Sequence, residues 1–102
     1  MKYGLDEQTL DEIRRILAHY AEVKEAVLYG SRAKGNYKPF SDVDLTLKGD
    51  ISQDALLGIM REFAESSLPY LFDISVFNSL TNSELVEHIN RWGVKIYPAE
   101  VV

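Results

Sequence analysis

Two aspartates separated by one residue, Asp42 and Asp44, are the side chains whose spacing most directly suggests chemistry. They lie in an alternating segment in which Val43, Leu45 and Leu47 point one way and the two acids point the other. On a β-strand their Cα atoms would be roughly 6.5 Å apart on one face, and their charges would repel each other. Carboxylates suit Mg²⁺, which completes its coordination with water and substrate phosphates. The spacing therefore indicates a Mg²⁺ site; the alternative is a solvated polar strand face.

A third aspartate, Asp73, lies in an otherwise apolar segment from Tyr70 to Phe77. If its strand neighbours the strand of Asp42 and Asp44, the three carboxylates would lie together. Two Mg²⁺ ions about 3.5–4 Å apart could then activate an attacking oxygen and stabilise a leaving pyrophosphate. Asp73 could share one ion and help to deprotonate an acceptor hydroxyl. The alternative is a single edge-strand aspartate that faces water.

Gly30 and Ser31 follow a short apolar segment and precede a predicted helical turn. A glycine there lets the backbone approach a ligand closely, and the next amides lack intrahelical partners and suit a phosphate. The alternative is a glycine that ends a strand, followed by a serine that caps a helix. Gly35 gives the spacing of a Walker A loop, but Asn36 and Tyr37 replace its required Lys and Ser/Thr, which excludes a P-loop.

Together these residues resemble a known signature. Gly30-Ser31, ten residues and then Asp42-x-Asp44 have the spacing found in the polymerase-β-like nucleotidyltransferase superfamily. The fuller run, Gly-Ser-Arg-Ala-x-Gly through Ser-Asp-x-Asp-Leu between residues 30 and 45, is similar to the minimal nucleotidyltransferases (MNT) of prokaryotes. The likeness covers essentially the whole chain, and Asp73 falls where that family carries its third acid.

The resemblance implies a role for each residue of the motif. Gly30 and Ser31 would hold the triphosphate of ATP, Asp42 and Asp44 would bind two Mg²⁺ ions, and Asp73 would bind the ion that activates the nucleophile. Arg32 is a further candidate for the nucleotide site, since its charge could neutralise phosphate, although arginines in loops are usually solvated. The two histidines, His19 and His88, have no ligand partner at helical spacing and are expected to be surface or packing residues.

The resemblance also implies a partner. Minimal nucleotidyltransferases are often encoded beside a HEPN-domain protein and act as the antitoxin of that pair, in some cases by transferring AMP to a tyrosine of the HEPN ribonuclease. A Mg²⁺-dependent nucleotidyltransferase in a hetero-oligomer with a HEPN toxin is therefore expected. The alternative is a non-catalytic module that neutralises the HEPN partner by binding alone. Transfer to a small molecule such as an aminoglycoside is a weaker hypothesis, because enzymes of that kind generally carry an additional domain.

The elements that would position these residues alternate along the chain. Apolar periodicity and cap residues predict an α/β (α+β) fold, with helices packed on a small mixed sheet of three to four strands. Asp6 would cap the first helix, Ser52 the third, and Thr81 with Glu84 would form the capping box of the last. The predicted helices are about 6–20, a turn after 30, 52–66 and 81–92, and the predicted strands are about 25–29, 41–48, 71–77 and 94–97.

Composition restricts the classes of function. The chain of 102 residues is expected to form one domain (1–102) with a modest core, so an acceptor would bind in an open groove or at a site completed by another chain. The net charge of −5 argues against direct nucleic-acid binding, which needs Lys and Arg to neutralise phosphates. There is no cysteine, no signal peptide and no apolar run of about 20 residues. A cytoplasmic protein without a membrane anchor is therefore expected.

Overall fold

The computed structural model describes residues 1–99, which form four helices and a four-stranded sheet. The expected α/β architecture with a mixed sheet is confirmed. The elements in chain order are α1 (Glu7–Leu17), β1 (Glu25–Tyr29), α2 (Gly30–Lys34), β2 (Val43–Lys48), α3 (Gln53–Glu65), β3 (Phe72–Val76), a 3₁₀ turn (Phe77–Ser79), α4 (Ser83–Trp92) and β4 (Val94–Tyr97). No helix in this part of the chain is long and apolar enough to cross a membrane.

The sheet has the strand order β3-β2-β1-β4. β1 pairs antiparallel with both β2 and β4, whereas β2 and β3 are parallel. A parallel pair needs a crossover connection, and α3 provides it. The registers place Tyr29 opposite Asp44 and Asp44 beside Asp73, so one row of residues crosses the three strands β1, β2 and β3.

The main core lies between one face of the sheet and the helices α1 and α3. Alternation along β2 buries Val43, Leu45 and Leu47 on this face, as predicted. Each fully buried aliphatic side chain contributes about 1.5–3 kcal/mol, so this layer supplies most of the hydrophobic stabilisation. The other residues of this core are Leu5, Leu10, Ile13, Ile16, Leu17, Val23, Ala26, Leu28, Ile59, Phe63, Ile74 and Ile96.

The opposite face of the sheet is only partly covered. α4 packs against β1 and α2 and forms a small second cluster with Val27, Tyr29 and Ile89. The part of this face formed by β2 and β3 carries Asp44, which is partly buried, and Asp73, which is exposed. The acidic residues therefore lie beside the smaller cluster, at the end of β1.

Several helix boundaries follow the predicted cap residues. Asp6 accepts a hydrogen bond from the Thr9 amide at 2.7 Å, and Ser52 accepts one from Ala55 at 3.1 Å, which confirms both as N-caps. The predicted capping box of the last helix is wrong. Asn82, not Thr81, is the N-cap of α4, because its side-chain oxygen accepts from the first free amides of that helix.

Three other expectations need correction. α1 ends at Leu17 rather than near residue 20, because the chain leaves the helix after Ala18 caps it. β2 begins at Val43, so Asp42 precedes the strand and is exposed. The strand predicted over 71–77 is shorter, because β3 ends at Val76, where the 3₁₀ turn begins.

Candidate functional site

Asp44 and Asp73 are brought side by side by the parallel pairing of β2 and β3. Neighbouring strands lie about 4.8 Å apart, and residues in register on a parallel pair point to the same face. Asp42, two residues before Asp44, is next to this pair but lies outside the strand. The prediction that the three carboxylates lie together required β3 to be the neighbour of β2. The strand order confirms this condition.

The carboxylate of Asp44 lies in an unfavourable electrostatic environment. Burial raises its pKa above the ordinary value of 3.8, and the charges of Asp73 and Asp42 raise it further, whereas His88 opposes the shift. Burial also raises the pKa of Tyr29, although a hydrogen bond with Ser75 acts in the opposite direction. Within residues 1–99, no ion pair compensates the three acids. A bound cation would remove this repulsion.

The donor set fits Mg²⁺ but is not a preformed cage. Within the described part of the chain, no three acidic, histidine or cysteine side chains are assembled closely enough to hold a metal ion by themselves. Mg²⁺ usually takes one or two protein carboxylates and completes its octahedron with water and substrate phosphates. Asp44 and Asp73, with Asp42 beside them, supply hard oxygen ligands of this kind, so a triphosphate would have to bring the remaining ligands.

Gly30 connects the end of β1 to α2 and approaches the acids very closely. Its φ of +75° lies in the left-handed region that favours glycine. A Cβ atom at this position would overlap the Oδ2 atom of Asp44. The following residue, Ser31, is partly buried, and its carbonyl accepts the Gly35 amide at 2.9 Å, which closes the short helix. The predicted turn therefore lies directly against the carboxylate of Asp44.

Arg32 does not have the arrangement expected of a phosphate ligand. Its side chain is 1% exposed, and its guanidinium donates to the carbonyls of Tyr3 at 2.9 Å, Ser41 at 2.8 Å and Pro39 at 3.3 Å. The rings of Tyr37 and Tyr70 lie 5.4 and 4.8 Å from its central carbon. Since its side chain is buried and four of its five N–H groups are already bonded, Arg32 fixes the loop that leads into Asp42 rather than contacting a ligand.

His88 is a residue of this region that sequence reasoning missed. Its Nε2 atom accepts a hydrogen bond from the Gly30 amide at 3.0 Å, and its ring packs edge-on against Tyr29. A signal was present in helical spacing, because His88 lies three residues after Leu85, which packs against the cluster between α4 and β1. His19, by contrast, lies at the surface and contacts Glu62, as expected.

Two hydroxyl groups, those of Thr46 and Ser75, are hydrogen-bonded to each other next to Asp44 and Asp73. Thr46, on the same face of β2 as Asp44, is fully buried and accepts a hydrogen bond from the Ser75 hydroxyl at 3.0 Å. On this face of the sheet, the two residues form the next pair after Asp44 and Asp73. The polar face of β2 and β3 is therefore internally bonded beneath the acids, which fixes the two strands in this register.

Sequence comparison identifies the family of this chain. A profile described as Polymerase beta, Nucleotidyltransferase, matches residues 11–100. No curated protein matches the chain in sequence.

Among the solved structures that share the fold are three toxin–antitoxin complexes. A toxin–antitoxin complex with AMP-PNP has a TM-score of 0.70 at 19% identity, over 86% of this chain and 72% of that chain. The MntA-HepT toxin–antitoxin complex has a TM-score of 0.66 at 16% identity, over 90% and 72%. A complex of a tri-AMPylated Shewanella oneidensis HEPN toxin with its MNT antitoxin has a TM-score of 0.64 at 16% identity, over 86% and 68%.

The family profile spans the glycine turn, the acidic row and α4, which are the parts of the chain that form the candidate site. The solved structures share the overall fold of this chain. This chain therefore belongs to the polymerase beta nucleotidyltransferase family.

Proposed function

We propose that this chain transfers AMP from ATP, with Mg²⁺, to a hydroxyl of a HEPN-domain partner, most simply a tyrosine, and thereby acts as an antitoxin. The observation that carries the proposal is the row formed by Asp44 and Asp73, against which Gly30 packs so closely that no side chain would fit. Uncompensated carboxylates beside a close backbone approach suit a metal-bound triphosphate and have no evident structural purpose.

Each residue then has a distinct task. Gly30 and Ser31 hold the triphosphate, while Asp42, Asp44 and Asp73 hold Mg²⁺. Mg²⁺ held there would neutralise phosphate charge and make the acceptor hydroxyl more acidic. The exposed Asp73 accepts the proton of that hydroxyl. The acceptor oxygen bonds to the α-phosphorus as the bond from that phosphorus to the bridging oxygen breaks, so pyrophosphate leaves.

The nature of the acceptor is supported by two observations. Asp42 and Asp73 are exposed, so the acids lie at an open surface that a protein side chain can approach. Among the solved structures with this fold, one contains an AMPylated HEPN toxin bound to an MNT antitoxin and another contains AMP-PNP. An open site and these structural relatives together favour a protein acceptor and ATP.

The proposal is tested by label transfer. The chain and its co-purified partner are incubated with Mg²⁺ and either α-labelled or γ-labelled ATP. We expect the partner to be labelled only from α-labelled ATP, because nucleotidyl transfer retains the α-phosphorus and releases the γ-phosphorus in pyrophosphate. Mass spectrometry of the labelled partner then identifies the modified side chain.

The variant Asp42→Ala/Asp44→Ala should lose this labelling. The matched control is Asp50→Ala/Asp54→Ala, which removes two exposed acids elsewhere and should label the partner like the native chain. If the native chain binds its partner and labels nothing, the catalytic proposal is wrong and a non-catalytic binding module remains. Label from γ-labelled ATP would instead indicate phosphoryl transfer.

A second prediction concerns Gly30→Ala. The left-handed φ should cost about 1–2 kcal/mol of stability, and the added methyl group should displace the Asp44 carboxylate. Misplacement of about 1 Å in a reacting constellation can cost roughly 100-fold in rate, and we expect a loss of at least this size. The measurements are urea denaturation and the rate of labelling.

Gly35→Ala is the control for this prediction. Gly35 has a φ of +89°, but a Cβ atom there would contact nothing within 4 Å. The Gly35→Ala variant therefore has the same kind of backbone strain but displaces no carboxylate. It should lose about as much stability as Gly30→Ala but keep most of the labelling activity. Equal losses of activity in both variants would show that strain, rather than the approach to Asp44, explains the effect.

A further inference from the structure

The contact between His88 and Gly30 joins α4 to the turn that follows β1. The Gly30 amide donates to Nε2 of His88 at 3.0 Å, although the two residues are 58 positions apart in sequence. Because Nε2 accepts this bond, the neutral ring carries its proton on Nδ1. The imidazole is also held from the side, since its centre lies 6.2 Å from that of the Tyr29 ring at an interplanar angle of 75°. Two consecutive residues of the chain thus contact one ring.

Arg32 anchors α2 two residues after Gly30 through its buried guanidinium, but those bonds do not reach the Gly30 peptide. α2 is only five residues long, and the residue at its N-cap, Tyr29, makes no side-chain capping bond. Gly30 itself is the most permissive residue at a φ of +75°. Yet the turn lies so close to Asp44 that a Cβ atom on Gly30 would overlap its carboxylate. The His88 bond is the contact from outside the turn that holds the Gly30 peptide in this position.

We propose that His88 is a positioning residue for the nucleotide, which holds the Gly30 peptide against Asp44 and so aligns the triphosphate with the metal-binding acids. This inference rests on the proposed function and adds a residue to it. His88 acts through Gly30 and need not touch the substrate. α4 thereby becomes part of the site, although it contributes none of the acids.

The test uses two substitutions of the same length and shape. In His88→Gln the side-chain carbonyl can still accept the Gly30 amide, whereas His88→Met has no comparable acceptor. Both residues are good helix formers at this partly buried position. We expect His88→Met to raise KM for ATP in the labelling reaction roughly tenfold, because an unpaired amide at a binding turn costs about one factor of ten. His88→Gln should stay within about threefold of the native KM, and kcat should change less than KM in both.

Two further measurements separate this inference from the proposed function. Binding of a fluorescent ATP analogue with Mg²⁺ to the complex should weaken in His88→Met and not in His88→Gln, whether or not transfer occurs. Hydrogen exchange of the Gly30 amide should be slow in the native chain and His88→Gln, and fast in His88→Met. The control is His19→Met, which changes the other histidine at a surface position and should leave all three readouts unchanged.

The outcomes are distinct. Identical KM, binding and exchange in His88→Met and the native chain would overturn the role of His88 and leave the proposed function intact. Equal losses in the Gln and Met variants would also overturn it, because the acceptor atom would then be irrelevant. A native complex that binds no nucleotide would overturn both proposals.

Discussion

Replacement of Asp44 by asparagine is expected to abolish nucleotidyl transfer and, at the same time, to raise the melting temperature of the chain. The activity should fall because the amide cannot replace a carboxylate that binds a cation. Metal ions supply several kcal/mol of transition-state stabilisation, and each 1.36 kcal/mol corresponds to a factor of ten. We therefore expect a loss of roughly 1000-fold or more in the rate at which the partner is labelled.

The gain in stability follows from the direction of the pKa shift. The folded state raises the pKa of Asp44 above its unfolded value of 3.8, chiefly by burial and then by the charges of Asp73 and Asp42. The folded chain consequently binds this proton more tightly than the unfolded chain does. The carboxyl group imposes no penalty below pH 3.8; the penalty grows as the pH rises from 3.8 to the folded pKa and stays constant above it. An asparagine carries no such penalty.

Thermal melts at two pH values, without Mg²⁺ or nucleotide, check this expectation. The melting temperature of Asp44→Asn should exceed that of the native chain at pH 7, and the difference should shrink or vanish near pH 3. Asp54→Asn, which removes an exposed acid from the first turn of α3, is the matched control and should not be stabilised at pH 7. A lower melting temperature for Asp44→Asn at pH 7 would show that the carboxylate is compensated within the fold.

Arg32→Met is expected to cause the largest loss of stability of any variant considered. A hydrogen bond to a charged group contributes about 1.5–3 kcal/mol, and a cation–π contact about 0.5–2 kcal/mol. These contributions are not additive, so we expect a loss on the order of 3–5 kcal/mol out of a total of about 5–15 kcal/mol. The groups left without their partner are the carbonyls of Tyr3, Pro39 and Ser41 and the rings of Tyr37 and Tyr70.

Urea denaturation measures this loss in the free energy of unfolding, and two further variants serve as comparisons. Arg32→Lys should recover little, because a single ammonium group cannot bridge carbonyls that the planar guanidinium reaches together. Arg61→Met, at an exposed position of α3, should change the free energy of unfolding by about 0.5 kcal/mol or less. If Arg32→Met were stable but had a raised KM for ATP, the result would support the phosphate contact of Arg32 that the sequence suggested.

Arg32 also shows how a motif residue can serve the site without contacting substrate. Its guanidinium binds the carbonyl of Ser41, the residue immediately before Asp42. An arginine beside Gly30 and Ser31 suggests a phosphate ligand, since all three are close in sequence. The choice between a solvated, a ligand-binding and a buried guanidinium depends on Tyr3 and on the loop that returns over it, which no local pattern reveals.

The sequence by itself determined the identity of the acids and of the glycine turn and, except for Asp42, the element on which each lies. Alternation along residues 43–47 and the cap residues Asp6 and Ser52 are local properties, because side-chain direction has a period of two in strands and capping depends on the next three residues. The spacing of Gly30, Ser31, Asp42 and Asp44 is likewise contained in one short segment. Local patterns were less informative at helix ends, where Asn82 rather than Thr81 caps α4.

The tertiary structure alone decided that these residues meet. The proximity of Asp44 and Asp73 depends on strand order and on a parallel register between segments about 30 residues apart, joined by α3. The roles of His88 and Arg32 depend on partners 58 and 29 positions away, respectively. Such pairings are selected by the packing of whole layers, which buries α1 and α3 on one face and leaves the acids on the other. Periodicity can therefore identify the face on which a side chain lies, but only the assembled sheet determines what that face contacts.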